Sequence, residues 1–152
     1  MGSSPTPSTS LRRHPKIIGE RSEVEVIAAL HRAGNGVYIA PFTDNARYDC
    51  VVDDGARLLR LQIKTARLTG NGCVRFDTAS LNWNTRRRRL YHGEADLFAA
   101  YCPEIGKTYL LPVNDCRRRS AWLRLTLARN NQARGVRRAT YYELKPRTQP
   151  RT

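Results

Sequence analysis

The sequence predicts one small α+β domain, or a small three-layer α/β domain, in which a helix precedes a mostly antiparallel or mixed sheet. Three observations lead to this prediction. Apolar residues near the start of the chain recur at spacings of three and four, which is the period of a helix. Later apolar runs are short and are separated by Gly, Asp and Pro, as in strands. The length of 152 residues suits a single domain.

The helix is expected over Ile17–Ala33, and Gly34-Asn35-Gly36 provides its stop signal. Its apolar side is expected to contain the residues at helical spacing, namely Val24, Ile27, Ala28 and His31.

The strands are expected in runs of apolar or alternating residues between turn signals. These runs are Val37–Pro41, Tyr48–Asp53, Leu58–Thr65, Val74–Thr78, Leu97–Cys102, Thr108–Val113 and Trp122–Leu127. Phe42–Arg47 and the basic Arg129–Arg138 are expected loops, Ser80–Tyr91 is a polar segment, and Ala139–Leu144 fits either a turn or a strand. Residues 16–145 would form the domain, with flexible tails at 1–15 and 146–152.

The charge of the chain points to a polyanionic partner. Lys and Arg number 27 against 13 Asp and Glu, a formal net charge of +14. An excess of this size repels itself in the folded state and is typical of nucleic-acid-binding proteins. The residues expected to contact DNA phosphates lie in arginine clusters, namely Arg86, Arg87, Arg88, Arg89, Arg117, Arg118, Arg119, Arg137 and Arg138. Trp83 and Tyr91 lie beside the first cluster and would either stack on bases or belong to the core or its rim.

Other features exclude several classes of protein. The four cysteines show no spacing typical of a zinc site, and they are expected to be reduced thiols. No segment is typical of a signal peptide or a transmembrane helix. We therefore expect a soluble, cytoplasmic and nucleoid-associated protein without a membrane partner.

A predicted hairpin carries the candidate chemistry. If Gly55 and Ala56 are its two turn residues, counting along the strands places Asp49 opposite Gln62, on the same side of the sheet. Lys64 shares that side because side chains alternate along a strand, whereas Leu61 and Ile63 point into the core. If the turn slips by one residue, Asp49 faces Arg60 instead, and Gln62 becomes a diagonal neighbour.

This group suits a hard divalent cation such as Mg²⁺ or Mn²⁺, which prefers oxygen ligands. Asp49 offers a carboxylate, Gln62 a side-chain carbonyl and Ile63 a backbone carbonyl. Lys64 could orient a water molecule, stabilise developing negative charge or act as a base. Glu23 on the helix is the expected fourth member, with Glu20 one turn earlier as the alternative. Taken alone, the same side chains could form an ordinary solvated face with a cross-strand ion pair.

Three segments resemble the motifs of PD-(D/E)XK nucleases, and most closely those of the group I intron-associated endonucleases. These segments are Gly19-Glu20-Arg21-Ser22-Glu23, Arg47-Tyr48-Asp49 and Leu61-Gln62-Ile63-Lys64-Thr65. Segments 94–101 and 109–113 also resemble that branch, and Holliday-junction resolvases are more distant relatives.

The resemblance implies a restriction-endonuclease-like core, with a central mixed sheet flanked by helices. It implies a Mg²⁺-dependent endodeoxyribonuclease of homing or intron-associated type, in which Glu23, Asp49, Gln62 and Lys64 form the catalytic site. It also implies a homodimer or higher homo-oligomer, because cutting both strands needs two sites. Most members carry Asp or Glu where this chain has Gln62, and the amide removes one negative charge. The alternatives are a DNA-binding protein with this fold and weak or absent activity, or a junction resolvase.

Overall fold

The computed structural model describes residues 14–39, 46–116, 119–126 and 137–146. The elements in chain order are α1 (Pro15–Arg32), β1 (Gly36–Tyr38), β2 (Cys50–Asp53), β3 (Leu58–Thr65), β4 (Arg67–Leu68), β5 (Cys73–Asp77), β6 (Ala79–Leu81), β7 (Arg88–Leu90), β8 (Leu97–Cys102), β9 (Lys107–Pro112), a 3₁₀ helix (Val113–Asp115), β10 (Ser120–Arg124) and a 3₁₀ helix (Ala139–Tyr141).

The expected helix and strands are confirmed, and only their ends shift by a few residues. The polar segment Ser80–Tyr91 differs from the prediction, because it contributes to a hairpin of β6 and β7. The undecided segment Ala139–Leu144 begins as a 3₁₀ helix. Parts of the predicted loops and tails, together with the ends of two predicted strands (residues 40–41 and 127), lie outside the described residues; the ranges concerned are 1–13, 40–45, 127–136 and 147–152.

A five-stranded mixed sheet with the order β1-β2-β3-β8-β9 forms the centre of the fold. Its neighbours are antiparallel except for β3 and β8, which are parallel. A parallel pair cannot be joined by a tight turn and needs a long crossover. That crossover contains β4 to β7, so these strands lie between the two central strands in sequence.

Helix α1 covers one face of the central sheet, and its buried residues are Ser22, Val26 and Leu30. This corrects the expected apolar side, because Val24 and His31 are exposed. Ser22 can be buried because its Oγ donates to the carbonyl of Ile18 and lies 2.6 Å from Oγ1 of Thr65. No helix in the described part of the chain is long and apolar enough to cross a membrane.

A second sheet, with the order β10-β5-β4, contributes to the core that includes β8 and β9 residues. The resemblance implied a central mixed sheet flanked by helices; the mixed sheet is present, and the described residues contain one α-helix. The crossover is extended because the turn Gly70-Asn71-Gly72 is followed by a short run, Cys73–Asp77, in which apolar and polar residues alternate. Phe98 lies in this core, in edge-to-face contact with Phe76 and Tyr91. The four cysteines are buried free thiols.

The β2–β3 hairpin has the register expected from the sequence. Cys50 pairs with Leu61 and Asp53 with Leu58, so Gly55 and Ala56 form the turn. The Asp54 carboxylate fixes this turn by accepting hydrogen bonds from the backbone N–H groups of Ala56 and Arg57, both at 2.8 Å. Leu61 and Ile63 are buried against the helix side of the sheet, as predicted.

Candidate active site

Asp49 and Gln62 meet across the start of the β2–β3 ladder. The Asp49 N–H donates to the Leu61 carbonyl at 2.7 Å, so Asp49 is hydrogen-bonded to β3 although it lies one residue before β2. Its carboxylate Oδ2 accepts hydrogen bonds from Gln62 Nε2 at 2.7 Å and from the Ile63 N–H at 2.6 Å. These two bonds fix the orientation of the carboxylate. Among the described residues no hydrogen bond is accepted by Oδ1, which is therefore available to a ligand.

The carbonyl group of Ile63 lies next to the same pair. Gln62 Nε2 is 3.4 Å from the Ile63 backbone oxygen as well as 2.7 Å from Asp49. The amide NH₂ group thus lies between Asp49 Oδ2 and the Ile63 carbonyl oxygen. A hard cation in the same place would be attracted by the negative charge on both oxygens. Rotation of this amide by half a turn would present its own oxygen to a cation instead of its NH₂ group.

Lys64 is held by Tyr91, a contact that sequence analysis did not identify. The Lys64 ammonium donates a hydrogen bond to the Tyr91 hydroxyl at 3.0 Å and lies 4.7 Å from the ring centroid. Tyr91 is 5% exposed, so it belongs to the core rather than to a DNA-facing surface. The Arg47 guanidinium lies 4.0 Å from the same ring centroid. The aromatic ring therefore contacts two cations and positions one of them beside the candidate site.

Arg47 connects the segment that precedes Asp49 to the β6–β7 hairpin. Its guanidinium donates to Ser80 Oγ at 2.7 Å and to the Leu90 carbonyl at 3.1 Å. It also forms an ion pair with Glu94 at 2.9 Å, and this contact is the main reason why the pKa of Glu94 is lowered. The motif Arg47-Tyr48-Asp49 can be recognised in the sequence. The partners of Arg47 lie more than thirty residues away along the chain, so nothing near the motif predicts them.

The second carboxylate of the candidate site is Glu23. Burial raises the pKa of Glu23, and the negative charges of Asp49 and, to a smaller extent, Glu20 raise it further. Burial also raises the pKa of Asp49, against the opposing effects of the Ile63 N–H and Lys64. Glu23 and Asp49 therefore interact electrostatically although they lie on different elements. Contrary to the expected core-facing stripe, Glu23 is an exposed residue at the border of the buried helix face.

These groups fit a hard divalent cation by their chemistry. The carboxylates of Glu23 and Asp49 contribute oxygen, and both have a pKa raised by burial; the charge of Asp49 raises the pKa of Glu23 further. Such carboxylates are stabilised in their charged form when a cation lies between them. Within the described ranges there is no cluster of three or more His, Cys, Asp and Glu side chains that could hold a metal ion. A site here would therefore depend on amide or backbone oxygen in addition to Glu23 and Asp49.

The arginines expected to contact DNA occupy different surroundings. Arg86, Arg87, Arg88 and Arg89 are exposed on the β6–β7 hairpin, where Arg89 forms an ion pair with Glu94. Arg119 and Arg138 are exposed, whereas Arg137 donates to the Asp115 carbonyl and contacts Cys116. Arg117 and Arg118 lie outside the described residues.

Comparison with known proteins agrees with this architecture. The solved structure of a bacterial homing endonuclease, I-Ssp6803I, superposes with a TM-score of 0.69 and 26% sequence identity. The match covers 85% of this chain and 88% of that one. Among curated proteins no sequence matches. The sequence profile described as PD-(D/E)XK endonuclease matches residues 13–145, which is most of the chain. The protein therefore belongs to the PD-(D/E)XK endonuclease family and is a nuclease with a restriction-endonuclease-like fold.

Proposed function

We propose that this protein is a homing-type endodeoxyribonuclease that hydrolyses phosphodiester bonds of duplex DNA with Mg²⁺ or Mn²⁺ as its cofactor. The observation that carries the proposal is the contact between Asp49 and Gln62, at 2.7 Å, on the hairpin that also carries Lys64. Family membership supports nuclease chemistry, and the structural similarity to a bacterial homing endonuclease supports the homing type.

Asp49, Gln62 through its side-chain oxygen, and the Ile63 carbonyl would hold the cation, with Glu23 as the helix carboxylate. A bound divalent cation supplies Lewis acidity, which makes water a better nucleophile and offsets the negative charge that develops on the phosphate. The hydrogen bonds from Gln62 and Ile63 orient the Asp49 carboxylate before any ligand binds. Such preorganisation lowers the cost of reaching the transition state.

Lys64 is proposed to stabilise the developing negative charge as an ammonium donor. It already donates one hydrogen bond to Tyr91 and lies near the face of the ring, which attracts a cation. An ammonium group has three donors, so two remain for phosphate or water. Three roles were open for Lys64, namely orienting a water molecule, stabilising negative charge and acting as a base. The contact with Tyr91 favours the second of these.

The DNA is proposed to bind through phosphate contacts of the exposed arginines, with Arg86–Arg89 nearest in sequence to the elements of the site. Contacts of this kind depend on salt concentration and carry little sequence information. We further propose a homodimer or higher homo-oligomer, since a double-strand cut requires two sites. Exposed apolar side chains at and near the edge strand β1, namely Tyr38, Ile39 and Leu58, support self-association.

Cleavage assays on supercoiled plasmid, linear duplex, four-way junction and single-stranded DNA, each with Mg²⁺, Mn²⁺ or EDTA, test this proposal. The expected result is nicking or linearisation of duplex only with a divalent cation. Asp49→Asn and Glu23→Gln should abolish it, and Lys64→Ala should abolish it while leaving duplex affinity nearly unchanged. Glu25→Gln, which removes an exposed carboxylate of the same helix, is the matched control and should cleave normally. Cleavage in EDTA, or full cleavage by Asp49→Asn, would overturn the proposed metal chemistry.

Gln62 favours one second candidate, a DNA-binding protein that has kept the fold with little activity. Its amide donates to Asp49, so the site holds one negative charge fewer than a pair of carboxylates would. This candidate requires tight, salt-sensitive duplex binding with no cleavage in either metal. If Gln62→Glu then cleaves duplex with Mg²⁺, the inactivity of the native chain is due to the amide at position 62.

A further inference from the structure

The β6–β7 hairpin presents a tryptophan at its tip. Among the described strands, β6 and β7 pair with each other alone, with Leu81 opposite Arg88 and Ala79 opposite Leu90. Trp83, in the connection between them, is 81% exposed, more than any other large apolar side chain in the described part of the chain. An indole this exposed buries little apolar surface in the fold. Single exposed apolar side chains are common on protein surfaces, so the role of Trp83 depends on what surrounds it.

The tip is a closed turn. The Asn82 N–H donates to the Arg87 carbonyl at 3.0 Å, and the Asn82 side-chain oxygen accepts from the N–H groups of Asn84 and Thr85. Arg86 has a φ of 52°, in the left-handed region that non-glycine residues seldom adopt. These contacts hold the backbone of the tip in one conformation, so the backbone would lose little entropy when the indole binds a ligand.

The charge around Trp83 identifies the chemistry of the partner. Arg86–Arg89 begin three residues after it, and the sequence has no acidic residue between Asp77 and Glu94. All four arginines are exposed, and because Arg89 pairs with Glu94, the charges that face solvent together with the indole are chiefly those of Arg86, Arg87 and Arg88. Nucleic acid combines closely spaced phosphates with flat bases, and it complements a surface that combines guanidinium groups with an aromatic ring.

The hairpin is fixed relative to the candidate active site. Arg47 reaches from the segment before Asp49 to Ser80 on β6 and to the Leu90 carbonyl on β7. The hydroxyl of Tyr91, the residue after β7, accepts a hydrogen bond from the Lys64 ammonium at 3.0 Å. A DNA segment gripped by the hairpin would thus be held in a defined position relative to Lys64 and Asp49.

We propose that Trp83 stacks on a base of the duplex that this nuclease cuts, at a locally unstacked step, while Arg86–Arg89 hold the neighbouring phosphates. The inference rests on the proposed function and adds a base contact to it. Aromatic or apolar side chains that enter a base step kink the duplex, and sequences that unstack easily are then favoured. Trp83 would therefore contribute to the choice of cleavage site.

The chain has only two tryptophans, which makes a direct test possible. In Trp122→Phe the tryptophan emission comes from Trp83 alone, and in Trp83→Phe the tryptophan emission comes from Trp122 alone. Each variant is titrated with duplex DNA in EDTA, which keeps the duplex intact. The expected result is strong quenching of Trp83 emission at saturating duplex and little change of Trp122 emission. Trp122, 46% exposed on β10 with Arg75 over its ring, is the matched control.

Affinity is measured in parallel by anisotropy of a labelled duplex. Trp83→Ala is expected to weaken binding roughly ten-fold, because stacking of one base on an aromatic ring contributes about 1–3 kcal/mol. Trp83→Phe should retain most of the affinity, and Trp122→Ala should bind normally. Because Trp83 is exposed, its replacement should leave the circular dichroism spectrum and the thermal midpoint unchanged.

The outcomes separate this inference from the proposed function. Unchanged Trp83 emission in a chain that still binds and cuts duplex would overturn the stacking and leave the nuclease intact. Weaker binding of Trp83→Ala without quenching would also overturn it, since Trp83 would then act without touching a base. Absence of duplex binding by the native chain at low salt would overturn both.

Discussion

Replacing Gln62 by glutamate tests whether the side chains at positions 49 and 62 face each other and whether a divalent cation relieves the repulsion between two carboxylates there. Gln62 Nε2 now donates to Asp49 Oδ2 at 2.7 Å, so Gln62→Glu exchanges a hydrogen-bond donor for a second carboxylate oxygen at nearly the same place. We predict that the variant is less stable than the native chain without divalent cations. We also predict that it gains more stability than the native chain when a cation is added.

The size of the effect follows from Coulomb's law. Two unit charges at ~2.7 Å repel by about 1.5 kcal/mol with the dielectric constant of water and about 6 kcal/mol with an effective value of 20. The lost hydrogen bond adds about 1 kcal/mol. Rotation of the new side chain, or uptake of a proton by one carboxylate, limits the total. We therefore expect a loss of about 2–4 kcal/mol at pH 8, or roughly 5–15 °C in thermal midpoint.

Thermal unfolding of both chains, in EDTA and in excess Mg²⁺, is the assay. A cation that binds the folded state stabilises it by an amount that grows with the logarithm of its affinity, so the Mg²⁺-induced rise in midpoint should be larger for Gln62→Glu than for the native chain. The double variant Asp49→Asn with Gln62→Glu is the control. It restores a single charge across the pair and should recover most of the stability in EDTA.

An unchanged midpoint of Gln62→Glu in EDTA would show that positions 49 and 62 do not oppose each other as described. An equal Mg²⁺-induced shift in both chains would show that position 62 does not face the cation. Either result would refute the proposed ligand set.

Three further predictions concern the surroundings of the site. Tyr91→Phe removes the hydroxyl that holds Lys64. We expect the single-turnover cleavage rate to fall about ten-fold while the duplex Kd stays the same, since a hydrogen bond to a charged group contributes ~1.5–3 kcal/mol. If duplex affinity fell by the same factor, the effect would be structural. Burial raises the pKa of Asp49, so this group favours folding at low pH and loses that contribution as pH rises from its ordinary value through the raised one. In EDTA, Asp49→Asn should therefore have a higher thermal midpoint than the native chain at pH 8, and the two midpoints should lie closer together at pH 4. The same difference in midpoint at both pH values would contradict the raised pKa. Leu61→Ala leaves a cavity under α1 at a fully buried position, and urea unfolding should report a loss of about 2–5 kcal/mol, whereas a loss below about 1 kcal/mol would contradict the packing described.

The hairpin that carries the site could be predicted because its determinants are local. The turn at Gly55-Ala56 is fixed by the carboxylate of Asp54, and side-chain alternation then assigns each residue to a face. Knowing the turn was therefore enough to place Asp49 opposite Gln62. The same reasoning assigned Leu61 and Ile63 to the core.

Features that depend on distant partners could not be predicted in this way. The buried side of α1 contains Ser22, which is polar, because Thr65 on β3 provides a hydrogen-bond partner forty-three residues away. The pairing of Lys64 with Tyr91 and the network around Arg47 likewise join separate segments. Periodicity reports how apolar a position is, but it does not report which polar side chain will find a partner.

The position of a bound cation tests the proposed metal site most directly. Crystals of Lys64→Ala with duplex DNA, soaked in Mn²⁺, can be measured at a wavelength where manganese scatters anomalously. We predict an anomalous peak at about 2.1 Å from a carboxylate oxygen of Asp49, with the Ile63 carbonyl in the same coordination shell. A peak found only elsewhere, or none near Asp49 at a Mn²⁺ concentration at which the native chain cuts DNA, would contradict it.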